Sequence, residues 1–159
     1  MKSEDKKCLE LCSYQANIFS KSRDVFACSS KVFLRRFFHS NFAFRLDCHD
    51  FFTFAYNENE CFESIITDYG NSTYGKEQLP EKVLHFIGYI TRYICYTRKV
   101  TSLFFYRTFG VDILIDEYAV LHTQSEEYII KELLSRKNLT EDIFDLSILL
   151  KAKLRKNYE

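Results

Sequence analysis

The 159-residue chain is poor in the residues that punctuate β-structure, with only four glycines and one proline. Because tight turns depend on these two residue types, their scarcity argues against a strand-and-turn protein and against collagen-like or linker classes. The chain also lacks a net charge, since 22 basic residues balance 22 acidic ones. This balance excludes a strongly basic nucleic-acid binder as a description of the whole protein.

Long apolar runs are absent as well. No such run follows the first charged residues, and no stretch reaches the roughly 18 uncharged apolar residues of a membrane span. We therefore predict a cytoplasmic protein without membrane association. In a reducing cytosol, its six cysteines are expected to be buried thiols rather than disulfides. They are Cys8, Cys12, Cys28, Cys48, Cys61 and Cys95.

What the chain does have is apolar residues, at 47% of the total, many of them repeating with the 3.6-residue period of a helix. The pattern predicts an all-α fold, with 1–159 forming a single helical domain of about seven to nine helices. For 111–121 the pattern allows either a helix or a buried strand, because the segment is rich in β-branched residues.

The segment of about 80–99 is predicted to be a buried central helix around which a multi-helix bundle forms. Two apolar faces run along it, and a helix with two such faces is buried on most sides. One face carries Val83, Ile87, Ile90 and Ile94, the second carries Phe86, Tyr89, Tyr93 and Tyr96, and the remaining strip has His85, Arg92 and Lys99. Gly88 costs about 1 kcal/mol against alanine in a helix. We therefore expect another helix to approach closely there.

Basic and acidic residues fall into separate blocks along the chain. Segments 31–45 and 82–107 carry basic residues without acids, whereas 47–68 and 112–127 carry acids without lysine or arginine. One interpretation is that such helices face each other or solvent. The other is that a basic face meets an acidic partner or phosphates, since arginine binds both and stacks on aromatic rings.

The second interpretation yields a set of candidate binding residues. They are Arg35, Arg36, Arg45, Tyr89, Arg92, Tyr93, Tyr96, Arg98 and His122. For Arg92 the alternative is an internal ion pair with Asp116 or Glu117. For His122 the alternative is a helix-end or core hydrogen-bond donor.

Motifs for catalysis and metal binding are missing from the sequence. It has no GxSxG, no glycine-rich phosphate loop, no CxxC pair and no HxxxH spacing. We therefore predict no catalytic residues, no metal and no cofactor. An unrecognised enzyme, with a cysteine and a histidine brought together by folding, stays an alternative.

Two segments carry a resemblance to a known group of proteins. They read SSKVFLRRF from residue 29 and IGYITRYICYT from residue 87, and Tyr118 and the run 121–123 add to them. Together they resemble an uncharacterised family of small all-helical bacterial proteins, over residues 10–135. The resemblance implies companions of toxin-like or mobile-element genes, and hence an antitoxin-like neutralising role. It implies no catalytic residue.

The leading hypothesis is a non-enzymatic protein-interaction module with a protein partner or a second copy as a homodimer. The last predicted helix is the docking element, because an apolar stripe lies beside a basic end. The stripe consists of Leu146, Leu149, Leu150 and Leu154. The alternative is nucleic-acid or nucleotide binding through the arginine-rich helices, which the neutral total charge does not support.

Overall fold

The computed structural model describes the backbone of residues 3–48 and 57–156 and the side chains of 5–48 and 57–149. These residues form helices and connecting loops without a β-strand, so the predicted all-α class is confirmed. The apolar residues of 51–55 also predict a helical turn, but this segment lies outside the described residues. The helices are α1 (Ser3–Val25), α2 (Ser30–His39), α3 (Asn41–Asp47), α4 (Glu58–Tyr69), α5 (Glu81–Arg98), α6 (Ser102–Phe109), α7 (Asp112–Asp116), α8 (Tyr118–Leu121), α9 (Glu126–Arg136) and α10 (Asp142–Lys156).

Small polar residues begin several of these helices, as expected from their tendency to accept a hydrogen bond from the first turn. The side chain of Ser29 accepts from the backbone N–H of Val32, and Thr101 accepts from Phe104. Asn57 and Ser125 cap α4 and α9 in the same way. The ambiguous stretch 111–121 forms two short helices, α7 and α8.

Among the described residues, the most extensive helix–helix interface joins α1 and α5. The two helices approach closely at Gly88, where an added Cβ would lie 2.8 Å from both the carbonyl oxygen of Gln15 and the Cα of Ala16. The close approach predicted at Gly88 is therefore confirmed. Helix α5 also contacts α6, α7 and α9, which places it inside the bundle.

The two predicted apolar faces of α5 differ in depth. The face that begins with Val83 and ends with Ile94 is buried throughout. The aromatic face is only half-buried: Phe86, Tyr89, Tyr93 and Tyr96 all keep part of their surface in solvent. The segment is therefore buried most deeply along its aliphatic face.

Phenylalanine rings fill the core between α1, α2 and α6. The ring of Phe19 meets those of Phe37 and Phe33 edge-on, at centroid distances of 4.7 Å and 5.6 Å. Edge-on contacts of this kind suit the charge distribution of aromatic rings. None of the six cysteines forms a disulfide, and all except Cys48 are buried. Cys48, which is exposed, directly follows the last residue of α3.

Candidate functional site

Arg92 is at the centre of a buried polar network rather than at the surface. Its side chain is 2% exposed, and its Nη1 donates to Asp47 Oδ1 at 2.8 Å. Its Nε donates to Gln15 Oε1 at 2.8 Å and its Nη2 to Ser102 Oγ at 2.9 Å. The prediction that Arg92 pairs with Asp116 or Glu117 is therefore wrong. The carboxylate comes instead from the end of α3.

The network satisfies the other groups that it buries. Asp47 also accepts from the hydroxyl and the backbone N–H of Ser102, each at 2.8 Å. The amide of Gln15 donates to Thr91 Oγ1 at 2.9 Å and to the Gly88 carbonyl at 3.1 Å. Burial alone would lower the pKa of Arg92, but the Asp47 carboxylate outweighs that effect and raises it. Arg92 therefore stays charged and joins α1, α3, α5 and α6.

Arg98, at the end of α5, joins three helices at the surface. Its Nη2 lies 2.8 Å from Glu127 Oε2 and 3.2 Å from Glu141 Oε1. The guanidinium also lies over the ring of Phe144, with its central carbon 5.9 Å from the centroid. The hydrogen bond to Glu127 is the main reason why the pKa of Arg98 is raised. The positive charge of Arg98 is therefore paired with carboxylates of the same protein.

The predicted residues of α2 form a separate surface cluster. Arg35, Arg36, His39 and Tyr69 line a cavity of about 260 Å³ between α2 and α4. Arg36 lies over the ring of Tyr69, 5.5 Å from its centroid, and its Nη1 donates to the Gly70 carbonyl at 3.2 Å. Arg45 is exposed on the neighbouring helix α3. The structure thus brings Arg35 and Arg36 together with an exposed aromatic ring.

Tyr89 and His122 meet in a second cavity, the α5–α8 cavity, of about 310 Å³. It is lined by Lys82, His85, Phe86, Tyr89, Tyr118 and His122. The ring of His122 stacks on Tyr118 with centroids 4.5 Å apart, and its Nδ1 lies 2.7 Å from the Tyr118 carbonyl oxygen. Partial burial raises the pKa of Tyr89 to about 12, so its hydroxyl stays protonated. Of the other predicted tyrosines, Tyr93 and Tyr96 pack half-buried further along α5.

A third cavity contains residues that the sequence analysis did not select. The α1–α5 cavity, of about 460 Å³, is lined by Ser20, Arg23, Pro80, Glu81, Lys82 and His85. The Nε of Arg23 is buried there and has no hydrogen-bond partner among the described residues. A lone arginine in the last turn of an amphipathic helix is usual, so the sequence carried no signal for it.

An apolar groove lies beside the first half of α10. This α10 groove has a volume of about 530 Å³, and Leu139, Ile143, Leu146 and Leu149 are its apolar lining residues. Leu146 is 51% exposed and Leu149 is 60% exposed. The side chains of Leu150 and Leu154, the other two predicted docking residues, lie outside the described residues.

Comparisons with known proteins add no further assignment. No protein-family model matches the chain, and neither a curated protein nor a solved structure is significantly similar to it. The bacterial family resemblance stays a prediction. Among the described residues, no helix is long and apolar enough to cross a membrane, and no three metal-ligating side chains converge.

Proposed function

We propose that this protein is a non-enzymatic protein-interaction module that docks an amphipathic helix of a partner protein in the α10 groove. The exposed leucines on α10 carry the proposal. Contiguous apolar side chains beside a groove are typical of surfaces that bind protein. Leu146 and Leu149 are three residues apart, and this spacing suits the anchors of a docked helix.

Charge defines the chemistry of the partner. Asp142 and Asp145 line the groove near the start of α10, and 151–156, at its other end, contains four basic residues. A partner helix with basic residues at one end of its apolar stripe and acidic residues at the other complements this pattern. The antitoxin-like neutralising role belongs to the same proposal and is supported by the bacterial resemblance alone. The proposal places the protein in the cytoplasm.

A pull-down of the tagged full-length protein from its native cells, read by mass spectrometry, tests this function. The informative variant is Leu149→Glu, which introduces a charge into the groove. Val120→Glu on α8 is the matched control, because Val120 is 57% exposed. We expect one protein to be recovered with the wild type and the control but lost with Leu149→Glu.

Two outcomes would contradict this proposal. Equal recovery with all three proteins would mean that the α10 groove is not the docking surface. A dimer of this chain in sedimentation analysis that Leu149→Glu dissociates would replace the heterologous partner with a second copy.

A second candidate function is single-stranded nucleic-acid binding through α2. The observation in its favour is that the exposed Arg35 and the half-buried Arg36 lie beside the exposed ring of Tyr69. Proteins that bind single strands use basic side chains for the phosphate backbone and aromatic rings for stacking on the bases. Arg92 and Arg98 do not contribute, because their guanidinium groups bind carboxylates of the protein. Salt-sensitive binding of a single-stranded RNA that the Arg35→Ala/Arg36→Ala variant loses would support this function. No binding at low salt would exclude it.

A further inference from the structure

The cavity between α2 and α4 gathers positive charge at one point of the surface. Its lining residues are Arg35, Arg36, His39 and Tyr69, with no acidic side chain among them. Arg35 and His39 are exposed and Arg36 is half-buried, so a ligand from solvent can reach all three. This α2–α4 cavity therefore has the chemistry of an anion site.

Neither arginine of the cavity is neutralised by a carboxylate. Among the described residues, none of the ion pairs includes Arg35 or Arg36. The cavity lies where α2 and α4 end, and the C-terminal end of a helix carries a partial negative charge. Arg36 offsets part of that charge by donating to the Gly70 carbonyl at 3.2 Å. The charge of Arg35 stays available for an anion.

Tyr69 places an aromatic surface beside these charges. The guanidinium of Arg36 lies over its ring, 5.5 Å from the centroid, and the tyrosine is still 39% exposed. Aromatic rings and guanidinium planes both stack on nucleic-acid bases, and arginine also matches the geometry of phosphate oxygens. The combination fits a phosphate group that is joined to a nucleoside.

The size and charge of the cavity favour the end of a strand over its middle. The volume of about 260 Å³ is below the roughly 300 Å³ at which pockets for whole small molecules begin. The cavity can therefore hold a phosphate group while the nucleoside stays at its rim. A terminal phosphate monoester carries a charge of about −1.5 to −2 near neutral pH, whereas an internal phosphodiester carries a single negative charge. Cations that converge at one point suit the more concentrated charge.

We propose that the α2–α4 cavity binds the terminal phosphate of a single-stranded RNA, with the phosphate at Arg35 and Arg36 and the adjoining base against Tyr69. This inference rests on the second candidate function, nucleic-acid binding through α2, and adds that the strand is recognised at its end. His39 contributes a third positive charge when its imidazole is protonated. Its Nδ1 lies 2.8 Å from the Arg35 carbonyl oxygen, so Nε2 is the ring nitrogen that is left for a ligand.

Fluorescence polarisation of the full-length protein with one short RNA, labelled at an internal base, tests the proposal. The RNA is used in three forms: with a 5′-phosphate, with a 3′-phosphate, and with hydroxyl groups at both ends. We expect one phosphorylated form to bind at least about tenfold more tightly than the unphosphorylated form, because charge-assisted hydrogen bonds to the phosphate are added. The two phosphorylated forms distinguish the ends of the strand.

Three variants separate the parts of the site. Arg35→Met should remove most of the preference for the phosphorylated end and leave binding of the unphosphorylated form nearly unchanged. Tyr69→Leu should weaken all forms about tenfold through lost stacking. Arg107→Met is the matched control, because Arg107 is also an exposed arginine but does not line the cavity. The comparison of RNA ends uses the wild-type protein, so it stands even if a variant fails to fold.

Four results would overturn the proposal. Equal affinity for the three RNA forms would exclude recognition of the end but leave strand binding through α2 in place. No binding of any form at low salt would remove the nucleic-acid function as well. An end preference that Arg107→Met and Arg35→Met reduce equally would indicate nonspecific charge attraction. A tyrosine-phosphorylated peptide that binds as tightly as the phosphorylated RNA would assign the cavity to phosphopeptides instead.

Discussion

Truncation of Asp47 should destabilise this fold more than removal of any surface ion pair. Asp47 accepts three hydrogen bonds of 2.8 Å, one from Arg92 and two from Ser102. With the carboxylate gone, Arg92 keeps its charge in a site where its side chain is only 2% exposed. Breaking a buried ion pair by removing one partner typically costs about 3–5 kcal/mol. We expect Asp47→Ala to lower the free energy of unfolding by about this amount.

Urea unfolding followed by far-ultraviolet circular dichroism measures this loss. Lys21→Ala is the control, because it breaks an ion pair of 3.0 Å whose lysine is 58% exposed. Exposed pairs contribute at most about 1 kcal/mol, so the control should unfold near the wild-type midpoint. An m-value equal to that of the wild type would show that both variants unfold from a similarly compact state.

A double-mutant cycle isolates the contact between Asp47 and Arg92. The variants are Asp47→Ala, Arg92→Met and the two combined. Because the two side chains touch in a buried site, we expect a coupling energy of about 1–3 kcal/mol. A coupling energy near zero, or a loss for Asp47→Ala no larger than that of Lys21→Ala, would refute the structural role of the network.

Three further predictions concern packing, pH and thiol chemistry. Gly88→Ala should lower the free energy of unfolding by about 1–3 kcal/mol, because its Cβ would overlap α1; a neutral effect in urea unfolding would contradict the close approach. The hydrogen bond from Arg98 lowers the pKa of Glu127 below 4.5. The stability that this pairing adds is therefore present above pH 4.5 and lost as the pH falls through the lowered value; Glu127→Gln should flatten that acid limb in unfolding curves. Cys48 should react with Ellman's reagent in the native state, whereas the five buried thiols should react only on unfolding; rapid reaction of all six would contradict their burial.

Local signals in the sequence were enough to predict the all-α class and the central helix, but they gave about seven to nine helices where the described residues form ten, and they left 111–121 undecided. Ser29, Thr101 and Ser125 are of the residue types that favour helix starts, and they cap α2, α6 and α9. Capping depends on residues within one turn, so it can be read from neighbouring letters. Gly88 was informative for a similar reason, since a glycine in an apolar helix interior requires a compensating contact.

The buried network could not be assigned in the same way. The charge blocks in the sequence favoured acidic residues after residue 111 as partners of Arg92. Its partner in the structure is Asp47, which lies 45 residues earlier in the chain. That pairing depends on how α3 and α6 meet beside α5, and helical periodicity specifies which face is apolar but not which helix covers it. The sequence could not single out Arg23 for the same reason, because only its neighbours in space show that its Nε lacks a hydrogen-bond partner.

The polar strip of α5 shows how tertiary contacts divide one sequence pattern between two roles. His85 and Arg92 are seven residues apart, so they lie near the same side of the helix. Arg92 is buried because Asp47 from α3 and Ser102 from α6 close over it. The earlier half of the strip has no such cover, and His85 stays exposed between two cavities. A buried structural network and an exposed surface thus share one strip, and the neighbouring helices determine which part stays in contact with solvent.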